Sequence, residues 1–242
     1  MANLATARTW LLDFDNTLVA LEPEVDWAAS RVELEQYLRR AGIDDALFRA
    51  VPKGNLPLYE KLRRRLLEAG ASGAQAPADA PSGISPMALL ERASHLIESY
   101  EIRGAERARP LPGAIDLLRV LRARGRSVAV VTSNSSRTVN HWLRRHADSS
   151  MVNFIVGRES VLALKPAPAM INKALELCAA APADAVFVGD SEADAIAAHA
   201  ADVAFFGIAP TEEQRALLGQ AGAFEFFKTP GELVKRLGPG HR

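Results

Sequence analysis

The 242-residue sequence has a single cysteine, no excess of either charge, and no apolar run near membrane-spanning length. Each scarcity removes a class of protein. Cys178 alone cannot close an intrachain disulfide, and it follows Ile171, Ala174 and Leu175 at helical spacing, so it reads as a core filler. Lys+Arg and Asp+Glu both number 29, so the global basic excess of a nucleic-acid binder is missing and no nucleic-acid partner is expected. The chain reaches Asp13 too soon for the apolar region of a signal peptide, so no membrane partner and a cytoplasmic location are expected. No internal repeat is present. What remains is an ordinary globular composition, 48% hydrophobic, in a length that suits one large domain or two modest ones.

The apolar pattern divides the chain. Residues from about Pro23 to Arg107 read as helices, with few β-branched runs. Trp27 to Arg40 sets Val32, Leu34, Tyr37 and Leu38 on one stripe and closes at Gly42. Leu58 to Leu67 interleaves leucines with Arg63, Arg64 and Arg65, which spread around a helix and are expected mostly to face solvent. Residues 70–86, rich in Ala, Gly, Ser and Pro, mark an exposed connection. A third helix, Met87 to about Ile102, repeats apolar residues at Met87, Leu90, Ala93, Leu96, Ile97 and Tyr100.

From Pro110 onward, short apolar runs at Val128–Val131, Phe154–Val156, Ala185–Val188 and Val203–Phe206 alternate with helical segments. That alternation, with a possible edge run at Phe224–Phe227, argues for a parallel sheet covered on both faces by right-handed crossovers. The run Trp10-Leu11-Leu12 fits the same sheet, and the helical block does not. The expected fold is therefore α/β: a Rossmann-like, three-layer α/β/α parallel sheet over 1–20 and 108–242. An all-helical domain, 21–107, is inserted after the first strand, where it would overhang the strand ends as a lid.

The chemistry gathers at strand ends. Trp10-Leu11-Leu12 runs into Asp13 and Asp15, two carboxylates that need a cation, a shared proton or good solvation if buried. The second run ends in Thr132-Ser133-Asn134, any of which could instead cap the next helix. The loop after the third holds Lys165, and the fourth run ends in Asp190, with Asp194 one helical turn further on. In a parallel sheet these ends lie side by side. Converging carboxylates call for a divalent cation, and all-oxygen ligands suit Mg²⁺. A hydroxyl, backbone donors and an ammonium facing that cation make a pocket for a phosphoryl group.

This set, in this order, resembles the haloacid dehalogenase-like superfamily of hydrolases over about residues 8–20 and 108–210. Asp13-Phe14-Asp15-Asn16-Thr17-Leu18 looks like its first motif and Thr132 its second; Lys165-Pro166 looks like the third, and Gly189-Asp190-Ser191 with Asp194 the fourth. The resemblance implies Asp13 as a nucleophile that forms an aspartyl phosphate. It implies Asp15 as the acid that protonates the leaving oxygen and then the base that activates water. It puts Mg²⁺ on the Asp13 carboxylate, the Asp15 main-chain carbonyl and Asp190, with Asp194 as a ligand or a support acting through water. Thr132 and Lys165 would hold phosphoryl oxygens, Asn16, Ser133 and Asn134 would line the substrate, and the helical insertion would be a type-1 cap. Lys53, in a turn of that insertion, is a candidate substrate contact.

Asp15 narrows the reaction, because dehalogenases and phosphonate-cleaving relatives lack an acid there, and P–O cleavage needs one. Asn16 stands where many relatives carry Gly, and Asn tolerates the left-handed conformation that such a turn requires. The expected protein is thus a Mg²⁺-dependent phosphatase of a small phosphorylated metabolite such as a sugar phosphate, phosphoglycolate or nucleotide, as a monomer or homodimer. A phosphomutase on the same site is the nearest alternative. A phospho-accepting signalling domain and a non-catalytic binding protein are the alternatives of another class. The first would place its acceptor Asp after a later strand, and the retained Asp13, Asp15, Lys165 and Asp190 speak against the second.

Overall fold

A computed structural model describes residues 3–49, 51, 54–71, 84–160 and 163–238. Lys53 and most of the 70–86 connection lie outside the described residues. The strand β1 (Thr9–Leu12) is followed by α1 (Trp27–Arg40), α2 (Asn55–Ala71) and α3 (Pro86–Ala105). Thereafter helices and strands alternate: α4 (Ala114–Ala123), β2 (Ser127–Val131), α5 (Ser136–His146), β3 (Phe154–Val156), α6 (Ala169–Leu177) and β4 (Ala185–Gly189). The chain closes with α7 (Glu192–Ala200), β5 (Ala204–Ile208), α8 (Glu212–Gln220), β6 (Phe226–Phe227) and α9 (Pro230–Leu237). Contacts divide it into two compact units, Met1–Glu24 with Gly104–Arg242, and Val25–Arg103.

The first unit is a Rossmann-type α/β fold. Its six strands lie in the order β3-β2-β1-β4-β5-β6, and every pair is parallel. Strands such as Thr-Trp-Leu-Leu and Ala-Val-Phe-Val-Gly are buried at every position, because helices cover both faces of a parallel sheet and leave no polar side. β1 sits at the centre, with Leu12 opposite Val130 of β2 and Val188 of β4. The chain reverses its direction of winding between β1 and β4, so the crevice beyond their carboxyl ends is where this architecture places a ligand.

The second unit is helical. Helix α1 is capped by Asp26, whose carboxylate accepts from the Ala29 N–H, and it buries Ser30, Leu34 and Leu38. The stripe expected from sequence needs two corrections. Val32 is 55% exposed, since at about 100° per residue it lies on the far side of α1 from Leu34. Met87 is 62% exposed in the first turn of α3, whose buried face runs through Leu90, Ala93 and Ile97. The arginines need another. Arg64 does face solvent, but Arg63 is buried, pairs with Glu60 at 2.5 Å and lies over the Tyr59 ring. Back in the first unit, Cys178 caps α6 half-buried instead of filling the core. Among the described residues no helix is long and apolar enough to cross a membrane.

Candidate active site

The site is assembled by β1 and β4 and finished by the loops after β2 and β3. Beyond Leu12, Asp13 continues the sheet by donating its N–H to Val188 O at 2.8 Å. Phe14 is fully buried and meets the ring of Trp142 edge-on at 5.4 Å, which anchors the segment between the two acids. The chain then turns back: Asn16 adopts φ 55°, and the N–H groups of Leu18 and Val19 converge on Phe14 O. Asparagine accepts this left-handed conformation at little cost.

Lys165 is the hub. Its Nζ lies 2.5 Å from Asp13 Oδ1 and 2.5 Å from Asp194 Oδ1, donates to Val131 O at 3.2 Å, and stands 5.5 Å from the Phe187 ring centroid. Both carboxylates and the ammonium are buried. The Asp194 side chain is shared between two tasks. Its Oδ2 closes a capping box on α7 by accepting from the N–H and hydroxyl of Ser191, while Oδ1 pairs with the lysine ammonium. Gly189 permits this: a Cβ there would meet Asp194 Oδ2 at 2.6 Å.

Asp13, Asp190 and Asp194 each bring a carboxylate oxygen to within 4.8 Å of the others. Their protonation equilibria register the crowding. Burial pushes Asp13 up to about 7, with Lys165 opposing the rise and Asp194 adding to it. Burial, then Asp13 and Asp194, pushes Asp190 up to about 9. Burial pulls the Lys165 pKa down, but the two carboxylates outweigh it and hold the ammonium above the usual lysine range. One ammonium cannot balance three carboxylates at close quarters. The donor set is all oxygen and carries more negative charge than the one ammonium balances, so it fits a hard divalent cation.

Asp15 stands apart from that cluster. Its Oδ1 accepts the N–H groups of Leu21 and Glu22 at 2.9 and 3.1 Å, and burial still raises its pKa to about 6. A carboxyl poised near neutrality can both give and take a proton. Asn16 directs its amide to Glu22 Oε2 at 3.4 Å.

The loop after β2 carries the remaining polar groups. Thr132 Oγ1 donates to Asn134 Oδ1 at 3.0 Å and accepts the Asn134 N–H at 3.1 Å, both in a buried setting. Thr132, Ser133 and Asn134 are not the cap of α5. That position is Ser135, whose hydroxyl accepts the Thr138 N–H. A residue that the motif pattern passes over is Arg158, fully buried, which donates to Ser133 O at 3.0 Å. The available signal is its place immediately after the third strand, in Gly157-Arg158-Glu159.

Residues 83–208, just over half of the chain, match the family described as haloacid dehalogenase-like hydrolase. The chain belongs to the haloacid dehalogenase-like hydrolases. As an enzyme it stands with the phosphatases of that family. It is 29% identical over 201 residues to a phosphoglycolate phosphatase of Pseudomonas putida, covering 83% of this chain and 69% of that protein. To a phosphoglycolate phosphatase of Caulobacter vibrioides it is 29% identical over 195 residues, covering 81% of this chain and 76% of the relative. Among solved structures, a hydrolase from Pseudomonas syringae superposes with a TM-score of 0.63 at 20% identity, over 95% of this chain and 97% of the other. That last likeness shows a shared fold alone.

Proposed function

We propose that the chain is a Mg²⁺-dependent phosphatase of small phosphomonoesters that works through an aspartyl phosphate on Asp13. The observation that carries this reading is the buried cluster of Asp13, Asp190 and Asp194 around Lys165, with Asp15 held separately beside it. In this reading an Asp13 carboxylate oxygen attacks phosphorus, the P–O bond to the alcohol breaks, and Asp15 gives its proton to the departing oxygen. Asp15, now a carboxylate, takes a proton from water as that water attacks the phosphoryl group and releases Asp13. Its pKa of about 6 suits both halves of the cycle near neutral pH.

Lys165 steadies the Asp13 anion and, with the Thr132 hydroxyl and the Ser133 N–H, would meet the phosphoryl oxygens, while the Asn134 N–H supports Thr132 Oγ1. Asp13, Asp190 and the Asp15 carbonyl would hold Mg²⁺, with Asp194 adjoining them. Bound Mg²⁺ would neutralise the cluster and draw charge from the phosphoryl group. In this reading the helical insertion, 21–107, is the family's type-1 cap, and Asn16 and Lys53 are candidate substrate contacts.

The names of the curated relatives make 2-phosphoglycolate the first compound to try. The experiment is colourimetric phosphate release from 2-phosphoglycolate, sugar phosphates and nucleoside monophosphates, each with and without Mg²⁺. Mg²⁺-dependent release from one of these supports the reading. Isomerised sugar phosphate without free phosphate would replace it with a mutase.

A further inference from the structure

The loop after β3 grips the loop after β2 at successive points. The Arg158 N–H donates to Asn134 O at 2.9 Å, the Arg158 guanidinium donates to Ser133 O at 3.0 Å, and Glu159 Oε1 accepts from the N–H and hydroxyl of Ser136. The two loops are in close contact: a Cβ on Gly157 would meet Ser136 N at 2.4 Å. A peptide unit is planar, with its C=O and N–H pointing in opposite directions. Fixing the Ser133 carbonyl therefore aims the Asn134 N–H, and that N–H ends on Thr132 Oγ1 at 3.1 Å. A continuous path runs from the guanidinium through one peptide plane to the threonine hydroxyl. Arg158 is fully buried, and a charge-assisted bond to a carbonyl is about twice as strong as a neutral one.

We propose that Arg158 is a positioning residue for phosphate binding: it orients the Thr132 hydroxyl by holding the Ser133 carbonyl. The proposal rests on the phosphatase reading for the role of Thr132. In this proposal Arg158 acts through the loop, by way of the Ser133 and Asn134 carbonyls.

The test is a double-substitution cycle on the full chain in Mg²⁺, using Arg158→Met, Thr132→Ala and the pair. Two readouts are compared, calorimetric affinity for inorganic phosphate and the split of KM against kcat on p-nitrophenyl phosphate. Arg158→Met is expected to weaken phosphate binding and raise KM by roughly tenfold or more, and to add little once Thr132 is Ala. Arg158→Lys, which retains a charged donor, is expected to recover part of the affinity. Unchanged phosphate affinity, or losses that add fully in the Thr132→Ala background, would overturn the proposal. If the Met variant does not fold, Arg158→Gln, which lacks the charge and is polar, takes its place in the cycle and is decided by the same outcomes. A wild-type protein that binds phosphate yet turns over no ester sinks the phosphatase reading alone, since the binding cycle still judges Arg158. One that binds no phosphate removes both.

Discussion

Two groups of charged residues in this chain behave in opposite ways. In the α/β unit, Asp13 and Lys165 are 152 positions apart and meet at 2.5 Å. In the helical unit, Arg63, Arg64 and Arg65 are consecutive and diverge: the first is buried, the second is 70% exposed on its side chain, and the third lies between. A parallel sheet brings every strand's carboxyl end to one edge, so it gathers residues that the sequence scatters. A helix turns about 100° per residue, so it scatters residues that the sequence gathers. Charge in the first setting is concentrated; in the second it is dispersed into ion pairs such as Arg31–Glu35 and Arg39–Glu35.

The largest effect that would break this comparison is at Asp13. Asp13→Asn is expected to lower phosphate release by on the order of 10⁴-fold or more with the fold intact by circular dichroism. Turnover close to wild type would remove Asp13 from the chemistry and leave the cluster as a mere crowd of acids.

Next is Lys165→Met, which leaves Asp13 and Asp194 without their shared counter-charge. Thermal unfolding in EDTA should show a loss of about 3–5 kcal/mol, the usual cost of breaking a buried pair, and Mg²⁺ should restore part of it. A Tm insensitive to both changes would mean that the ammonium does not hold the cluster together.

The pH dependence of the metal-free protein sharpens the same point. Asp15, Asp13 and Asp190 have folded pKa values raised by burial to about 6, 7 and 9, above the ordinary aspartate value of 3.8. Over that span the folded chain binds more protons than the unfolded one, so stability is full below about pH 4 on these groups and falls as pH rises. The predicted Tm in EDTA therefore declines from pH 5 to pH 9. Saturating Mg²⁺, which favours the ionised carboxylates, is expected to flatten that decline. A rising Tm over the same range would show that the acids are not crowded as described.

The smallest effects belong to the helical unit and separate neighbours on one helix. Arg63→Ala should cost a few kcal/mol, about 3, since it removes a buried guanidinium from its pair with Glu60. Arg64→Ala should stay within about 0.5 kcal/mol, because its contact with Glu68 is an exposed pair at 4.0 Å. Chemical denaturation of both variants reads the difference. Equal losses would erase the contrast between buried and exposed positions along α2.

Much of the α/β unit is legible in the order of its residues. The runs around Trp10, Val128, Phe154, Ala185 and Val203 all become strands, because a strand buried on both faces must be apolar without interruption. Asp13, Thr132, Lys165 and Asp190 are likewise readable as polar groups just past those runs. The helical unit is less so. Val32, Met87 and Arg63 depart from expectation because a period of 3.6 tells which residues share a face but not which face another helix covers.

By itself, then, the sequence determined the strands, the two acids beyond the first of them, and the residue types gathered at the strand ends, since these follow from local apolarity and spacing. Only the tertiary structure decided how they divide the work. It set Asp194 on Lys165 as well as on its own helix cap, turned Asp15 toward Leu21 and Glu22 and away from the cluster, and buried Arg158 beneath the Ser133 carbonyl. The reason is physical: which carboxylate is crowded depends on distances between segments as far apart in the chain as Asp13 and Lys165, and which carbonyl Arg158 reaches depends on how two separate loops meet. Local sequence carries no record of those distances.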